Sequence, residues 1–252
     1  MNATIQTLNK HCTIRQYANR NIDENLLNLL LAAACRASNT GNMQTYSIIK
    51  TADAEKKKQL MPAHFNQPMV ETAPLILTFC ADFQRFTQWC ALRNARAGFD
   101  NFQSFIGAAI DAMLAAQNFA VAAESVGLGI CYLGTTTYNA QEIIETLQLP
   151  HLVMPVTTLS VGYPAENEKF TEFADRLPIA AIVHHETYQL PTESDISAFY
   201  SEKENSETYR RFVAENAKQT LAQVFTDVRY TKANNEFFSE KYLQALKNQG
   251  FL

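Results

Sequence analysis

His11, Thr13 and Arg15 alternate along a short stretch near the start of this 252-residue chain. In an extended backbone, residues two apart point to the same side. That side then carries an imidazole, a hydroxyl and a guanidinium. Such a set suits a small anion such as phosphate, because the arginine brings charge and a planar fork of donors and the threonine adds a hydroxyl. Read alone, the same residues also make an ordinary polar turn. Residues 38–44 (Ser-Asn-Thr-Gly-Asn-Met-Gln) are rich in hydroxyls and amides that can meet the polar edge of a ring or a polyol chain, or can simply close a helix. Gly127, Gly129 and Gly134 crowd into eight positions, although the chain has only 8 glycines. The first two can end a helix, and Gly134 would let backbone N–H groups approach a flat ligand; turn-making alone also accounts for all three. Arg176, shortly before Pro178, is on its own an ordinary exposed arginine.

Other constellations carry less. His184 and His185 are adjacent, so in a strand they point to opposite faces, and His64 and His151 lack partners at metal-ligand spacing. Cys12 beside His11 is a poor nucleophile–base pair, since the two members of such a pair are normally brought together by the fold and not by adjacency. A hydrolase using Cys12 is therefore the third choice of function. The run Lys56 to Lys58 reads as a solvated helix face, and Trp89, Phe99, Phe102 and Phe105 as core or pocket lining. Neither GxGxxG nor GxxxxGK[ST] occurs, so neither a dinucleotide fingerprint nor a P-loop is signalled.

The elements that must position these residues follow from periodicity. Asp23 can cap a helix running to about Arg36. Residues 46–51 and 75–81 read as strands, the second apolar throughout and so buried on both faces. A short charged helix fits residues 53–60. Residues 101–126 give the longest helical pattern, apolar nearly all round and rich in alanine, as expected of a helix in a core or an interface. Strands are expected at 130–133, 154–161 and 179–185, a helix from Asn139 or Ala140 to near Gln148, and polar helices near 194–222 and 239–248. Interleaved strands and dominant helices make an α+β fold with a small mixed sheet packed among helices.

Composition narrows the class. Apolar residues make up 47% and charged residues 18%, and 21 basic against 25 acidic residues leave a net charge of −4, which signals no general nucleic-acid or anionic-membrane role. The apolar run at 104–126 is interrupted by Asp111, Gln117, Asn118 and Glu124, which argues against a membrane span. The first ten residues lack a signal-peptide core. Five widely spaced cysteines without CxxC argue against disulfides and a structural zinc, and point to a reducing, cytoplasmic setting.

The order of the motifs says more than any one of them. His11-x-Thr13-Ile14-Arg15, the Ser/Asn/Gln loop about 25 residues on, Ala123-Glu124-Ser125-x-Gly127-Leu128-Gly129, and Gly162-Tyr163-Pro164-Ala165 followed by Arg176-Leu177-Pro178 occur together. This arrangement resembles the FMN-dependent nitroreductase family, most closely the subgroup of major oxygen-insensitive nitroreductases and the flavin reductase of luminous bacteria. The resemblance covers residues 5–190, with a weaker match of 213–252 to that subgroup's C-terminal helical extension.

The resemblance implies an interlocked homodimer, one FMN per subunit, a core of residues 1–190 and a helical extension over 191–252 that packs on the core or the partner subunit. His11, Thr13 and Arg15 match the phosphate segment, with Cys12 where the subgroup usually has arginine. Asn39 and Thr40 match a loop that reaches the flavin, typically from the partner. Gln67 matches a glutamine at the ring or ribityl chain. Leu133, Gly134 and Thr135 match the backbone beside flavin N5, and Arg176 a second phosphate arginine. Ala174 stands where the subgroup usually has lysine, and Arg210-Arg211 is the one adjacent basic pair near the subgroup's NADPH-phosphate cluster, so either NADH or NADPH could serve. The implied activity is a ping-pong transfer of hydride from NAD(P)H through flavin N5 to a nitroaromatic, a quinone or free flavin, with no catalytic side chain and no metal. The alternative is a flavin-binding or helical interaction protein without nicotinamide-driven turnover.

Overall fold

The computed structural model describes residues 2–166 and 175–252. Ala174 lies outside the described residues. The chain divides into two compact units, Met1–Phe170 with Phe238–Leu252, and Thr171–Phe237. The expected boundary at residue 190 therefore falls inside the second unit.

The first unit holds a four-stranded sheet in the order β1-β2-β4-β3. Its strands are β1 (Tyr46–Thr51), β2 (Leu75–Asp82), β3 (Gly129–Leu133) and β4 (Val153–Gly162). Every neighbouring pair is antiparallel, with Tyr46 opposite Ala81, Ile76 opposite Ser160 and Gly129 opposite Gly162. The architecture is α+β as expected, but the sheet is not mixed. Helices between strands do not by themselves create parallel pairs; here β1 to β2 and β3 to β4 reverse direction, while β2 and β3, which run the same way, are kept apart by β4. β4 carries one extra residue against β2, because Phe79 faces Thr157 while Cys80 faces Pro155. Pro155 has no N–H to give the ladder, and a bulge is where a central strand tolerates proline.

Helices α1 (Ala3–Asn9), α2 (Glu24–Ala34), α3 (Ala54–Leu60), α4 (Pro68–Thr72), α5 (Gln84–Leu92), α6 (Phe102–Ser125) and α7 (Ala140–Leu147) surround the sheet. Side-chain caps fix several starts: Asp23, Asp53 and Asn101 accept from the backbone N–H of Leu26, Lys56 and Ser104. α6 is long and apolar enough to cross a membrane by length and composition. In this fold it lies instead against α2 and the sheet, its fully buried Ala112, Ala115, Ala116, Ala120 and Ala123 allowing close approach, with Phe119 beside Phe79 at 6.4 Å between ring centroids. Lys57 is buried on α3 and donates to the carbonyls of Glu71 and Ala73 at the end of α4. Those carbonyls have no partner within α4, so the ammonium serves as its C-terminal cap.

The second unit contains α8 (Glu193–Asn205), α9 (Glu207–Glu215), α10 (Leu221–Val224), a π turn at Phe225–Arg229 and the first residues of α11 (Lys232–Asn248). The strand expected at 179–185 is not formed. Ile179–Ala181 is a single 3-10 turn after Pro178, and Ile179 and Ile182 are exposed instead of paired in a sheet. The rest of α11 belongs to the first unit, where Leu246 and Phe251 are fully buried and Leu152 N–H donates to the Gln249 carbonyl.

Candidate functional site

The anion-type residues sit beside β3. Ile14 N–H donates to the carbonyl of Ile130 at 2.9 Å, which lays residues 11–15 along the outer edge of that strand. Ile14 itself is buried over Gly129. A Cβ at 129 would come within 2.5 Å of the Ile14 side chain, so the close approach of the two segments requires glycine there. Tyr17 fastens the other end: its hydroxyl lies 2.8 Å from the Ile14 carbonyl and 2.8 Å from Ser160 Oγ.

Thr13 is half-buried and Arg15 exposed. Burial pushes the Cys131 thiol up, and Arg15, hydrogen-bonded beside it, opposes the shift. Arg15 is thus anchored against β3 three residues before Gly134. Cys12 and Ile14 line a cleft of about 390 Å³ together with Lys10, Glu124 and Gly127. His11 is committed elsewhere than the alternation predicts: its Nδ1 lies 2.6 Å from Glu124 Oε1. Burial raises the Glu124 pKa, with the His11 bond working against it.

The 38–44 loop is held from beneath by α6. Asp111, almost fully buried, accepts from Thr40 N–H (2.9 Å) and Thr40 Oγ1 (3.1 Å) through one oxygen, and from Thr45 Oγ1 (3.0 Å) through the other. Asn39 Oδ1 accepts from Gln44 N–H and so closes the loop on itself. Gly41, Asn42 and Gln44 all have positive φ, which glycine and asparagine adopt most readily.

Beyond β3 the chain turns tightly through Gly134–Thr136. Leu133 is buried, while a Cβ at Gly134 would meet nothing within 4 Å, so the face over this turn is open. Thr135 is buried, and its Oγ1 is 2.8 Å from Nδ1 of His64. Burial keeps His64 neutral, its pKa pushed down to about 4. His64 ends the turn Pro62–His64, after which Phe65 and Asn66 both adopt left-handed backbone and deliver Gln67 to the start of α4. Asn139 Nδ2 donates to the Ala63 carbonyl, and Lys241 Nζ on α11 to Asn139 Oδ1. The loop bearing Gln67 and the turn bearing Gly134 are therefore tied at two points.

Arg176 lies in the second unit, where its Nη1 donates to the Asp175 carbonyl and it lines a cleft of about 170 Å³ with Lys203 and Tyr209. Three functional residues were missed by pattern alone. Asp111 had a signal, being a lone carboxylate inside an apolar helix. His64 and Asn139 had none, since their partners are remote in sequence.

Comparison with known proteins bears on this geometry. The model of the Nitroreductase family matches residues 8–163, which takes in the edge segment, the 38–44 loop, Gln67 and the Gly134 turn. The chain belongs to the nitroreductase family. An FMN reductase (NADPH) of Bacillus subtilis is 36% identical over 217 residues, 81% of this chain and 86% of that one. An oxygen-insensitive NADPH nitroreductase of Salmonella typhimurium is 34% identical over 203 residues, 81% of each chain. A crystal structure from Bacteroides fragilis superposes with a TM-score of 0.95 at 55% identity, over 98% of this chain and 99% of that one. Family membership thus rests on most of the chain, and the second unit is included in the structural match.

Proposed function

We propose that this chain is an FMN-dependent reductase that acts as a homodimer, taking reducing equivalents from NAD(P)H and passing them to a nitroaromatic, a quinone or free flavin. It is an NAD(P)H-dependent flavin enzyme of the nitroreductase type. The observation that carries the reading is the placement of Thr13 and Arg15 along β3 by the Ile14–Ile130 bond, in line with the open turn at Gly134. From Cys131, beside Arg15, to Gly134 the strand rises about 10 Å, a span that a ribityl chain covers between a phosphate and a ring.

The residues fit FMN. Arg15 brings a fixed charge and Thr13 a hydroxyl to the phosphate. Gly134 and Thr135 offer backbone N–H groups over a face without a side chain, and Gln67 and Asn39 offer amides to the polar edges of the ring. When bound, FMN supplies the hydride relay between nicotinamide and acceptor, the two using one site in turn. The chain's own part is to bind, orient and stabilise: donors fixed at the ring edge favour the form that carries negative charge. An unaccompanied subunit leaves Ile110, Met113 and Leu114 of α6 exposed in one apolar stretch, which supports pairing with a second copy.

The test is an absorption spectrum of protein mixed with excess FMN and desalted, before and after anaerobic NADH and, separately, NADPH. Retained yellow colour that one or both donors bleach is expected. Colour that neither bleaches would favour a flavin-binding protein with another electron source. No retained flavin would overturn the proposal.

A further inference from the structure

His64 is completely buried, and only one of its ring nitrogens has a partner among the described residues: Nδ1 meets the Thr135 hydroxyl at 2.8 Å, while Nε2 has none. A neutral imidazole carries one N–H. If that proton sat on Nε2, a buried donor would be orphaned, which is rarer and costlier than an unpaired lone pair. The proton therefore belongs on Nδ1, where it donates to Thr135 Oγ1. Thr135 then accepts from His64 and keeps its own hydroxyl proton for another acceptor.

This bond joins the two segments whose Gln67 and Gly134 the flavin reading assigns to the ring. His64 precedes Gln67 by three residues, separated from it by the left-handed pair Phe65–Asn66, and Thr135 follows Gly134 directly. Left-handed backbone at a bulky residue is strained and persists only where surrounding contacts hold it. The Ala63–Asn139 bond is the second tie between the same segments, and Thr136 Oγ1 donates to the Leu133 carbonyl within the turn. Loop and turn thus form one preorganised mount.

We propose that His64 is a positioning residue, and that its bond to Thr135 fixes the Gln67 loop against the Gly134 turn and so sets the reduction potential of the flavin held there. The proposal rests on the flavin reading above. A mount that loosens loses the fixed donors that favour the reduced, negatively charged ring over the oxidised one.

The experiment measures FMN affinity by fluorescence quenching and the flavin midpoint potential by equilibration with reference dyes, in wild-type protein and in Thr135→Val, Thr135→Ser and His64→Phe. Thr135→Val and His64→Phe are expected to weaken binding of reduced flavin about tenfold more than binding of oxidised flavin. For a two-electron couple that ratio equals a fall of about 30 mV. Thr135→Ser keeps the hydroxyl and is expected to stay at the wild-type potential. Combining the two disruptive changes is expected to add little to either alone, because both remove one bond. Should His64→Phe fail to fold, the valine–serine contrast at 135 decides the matter. Wild-type potentials in folded Thr135→Val would overturn the positioning role and leave the flavin reading intact. Wild-type protein that takes up no flavin would overturn both.

Discussion

His11 and Glu124, 113 residues apart in sequence, are joined at 2.6 Å between Nδ1 and Oε1, and Glu124 lines the same cleft as Cys12. The imidazole that alternation aims at an anion is held instead by a carboxylate at the end of α6. Glu124→Gln keeps a hydrogen-bonding partner of the same shape but removes the competing negative charge. FMN affinity is expected to hold or rise by up to about tenfold, a step of about 1.4 kcal/mol. Titration of the two proteins with FMN checks this; a large loss of affinity would mean that the carboxylate itself supports the site.

Arg15 is the fixed cation of the edge segment. Arg15→Ala is expected to weaken FMN binding by about 2 kcal/mol, the scale of a charge-assisted hydrogen bond, or roughly thirtyfold. Arg15→Lys should recover only part, since an ammonium lacks the guanidinium fork. Equal affinities in all three proteins would place the phosphate elsewhere.

Asp111 holds Thr40 and Thr45 through three hydrogen bonds from a buried position. Asp111→Ala strands three donors and is expected to cost about 3 kcal/mol of stability, read from the midpoint of urea unfolding. Asp111→Asn keeps an acceptor and should cost less. FMN affinity is expected to fall in the same order, because the loop bearing Asn39 loses its support.

How much of this was legible beforehand follows the range of the interactions. Asp23, Asp53 and Asn101 announce their helices because capping acts over three residues, and the strands at Tyr46 and Leu75 announce themselves by apolar pattern. The knot between Asp111 and Thr40 spans 71 residues, as does the one between His64 and Thr135, and no local pattern encodes such partners. Strand direction escaped for the same reason. The 179–185 segment misled because Ile179, Ile182 and Val183 are apolar without being buried in a sheet.

Buried His64 makes stability depend on pH. Its pKa falls from the ordinary 6.5 in the unfolded chain to about 4 in the fold. Between those values the unfolded state binds more protons, so stability is full above pH about 6.5 and declines as pH drops toward 4. The loss reaches about 3 kcal/mol from this group. His64→Phe should flatten that part of the profile in melting curves taken across the range, and an unchanged slope would place the acid sensitivity in another residue.

Gly129 permits the close seat of Ile14. Gly129→Ala is expected to destabilise by about 2 kcal/mol through overpacking. Ile14→Ala, destabilising on its own, should relieve part of that clash when the two are combined. Thermal melts of the two singles and the double would show the coupling as a non-additive sum.

The bond from Ile14 to Ile130 has a second consequence. β3 ends the sheet, and an exposed terminal strand is a template on which another chain can add and aggregate. Here the Ile14 N–H occupies part of that border at the Ile130 carbonyl, and Tyr17 pairs with Pro164 just past β4, so the segment that offers Arg15 to an anion also shields part of the sheet edge. Whatever steadies the one steadies the other: a bound phosphate would keep the guard in place, and protein stripped of its ligand is expected to scatter more light on gentle warming than the loaded form.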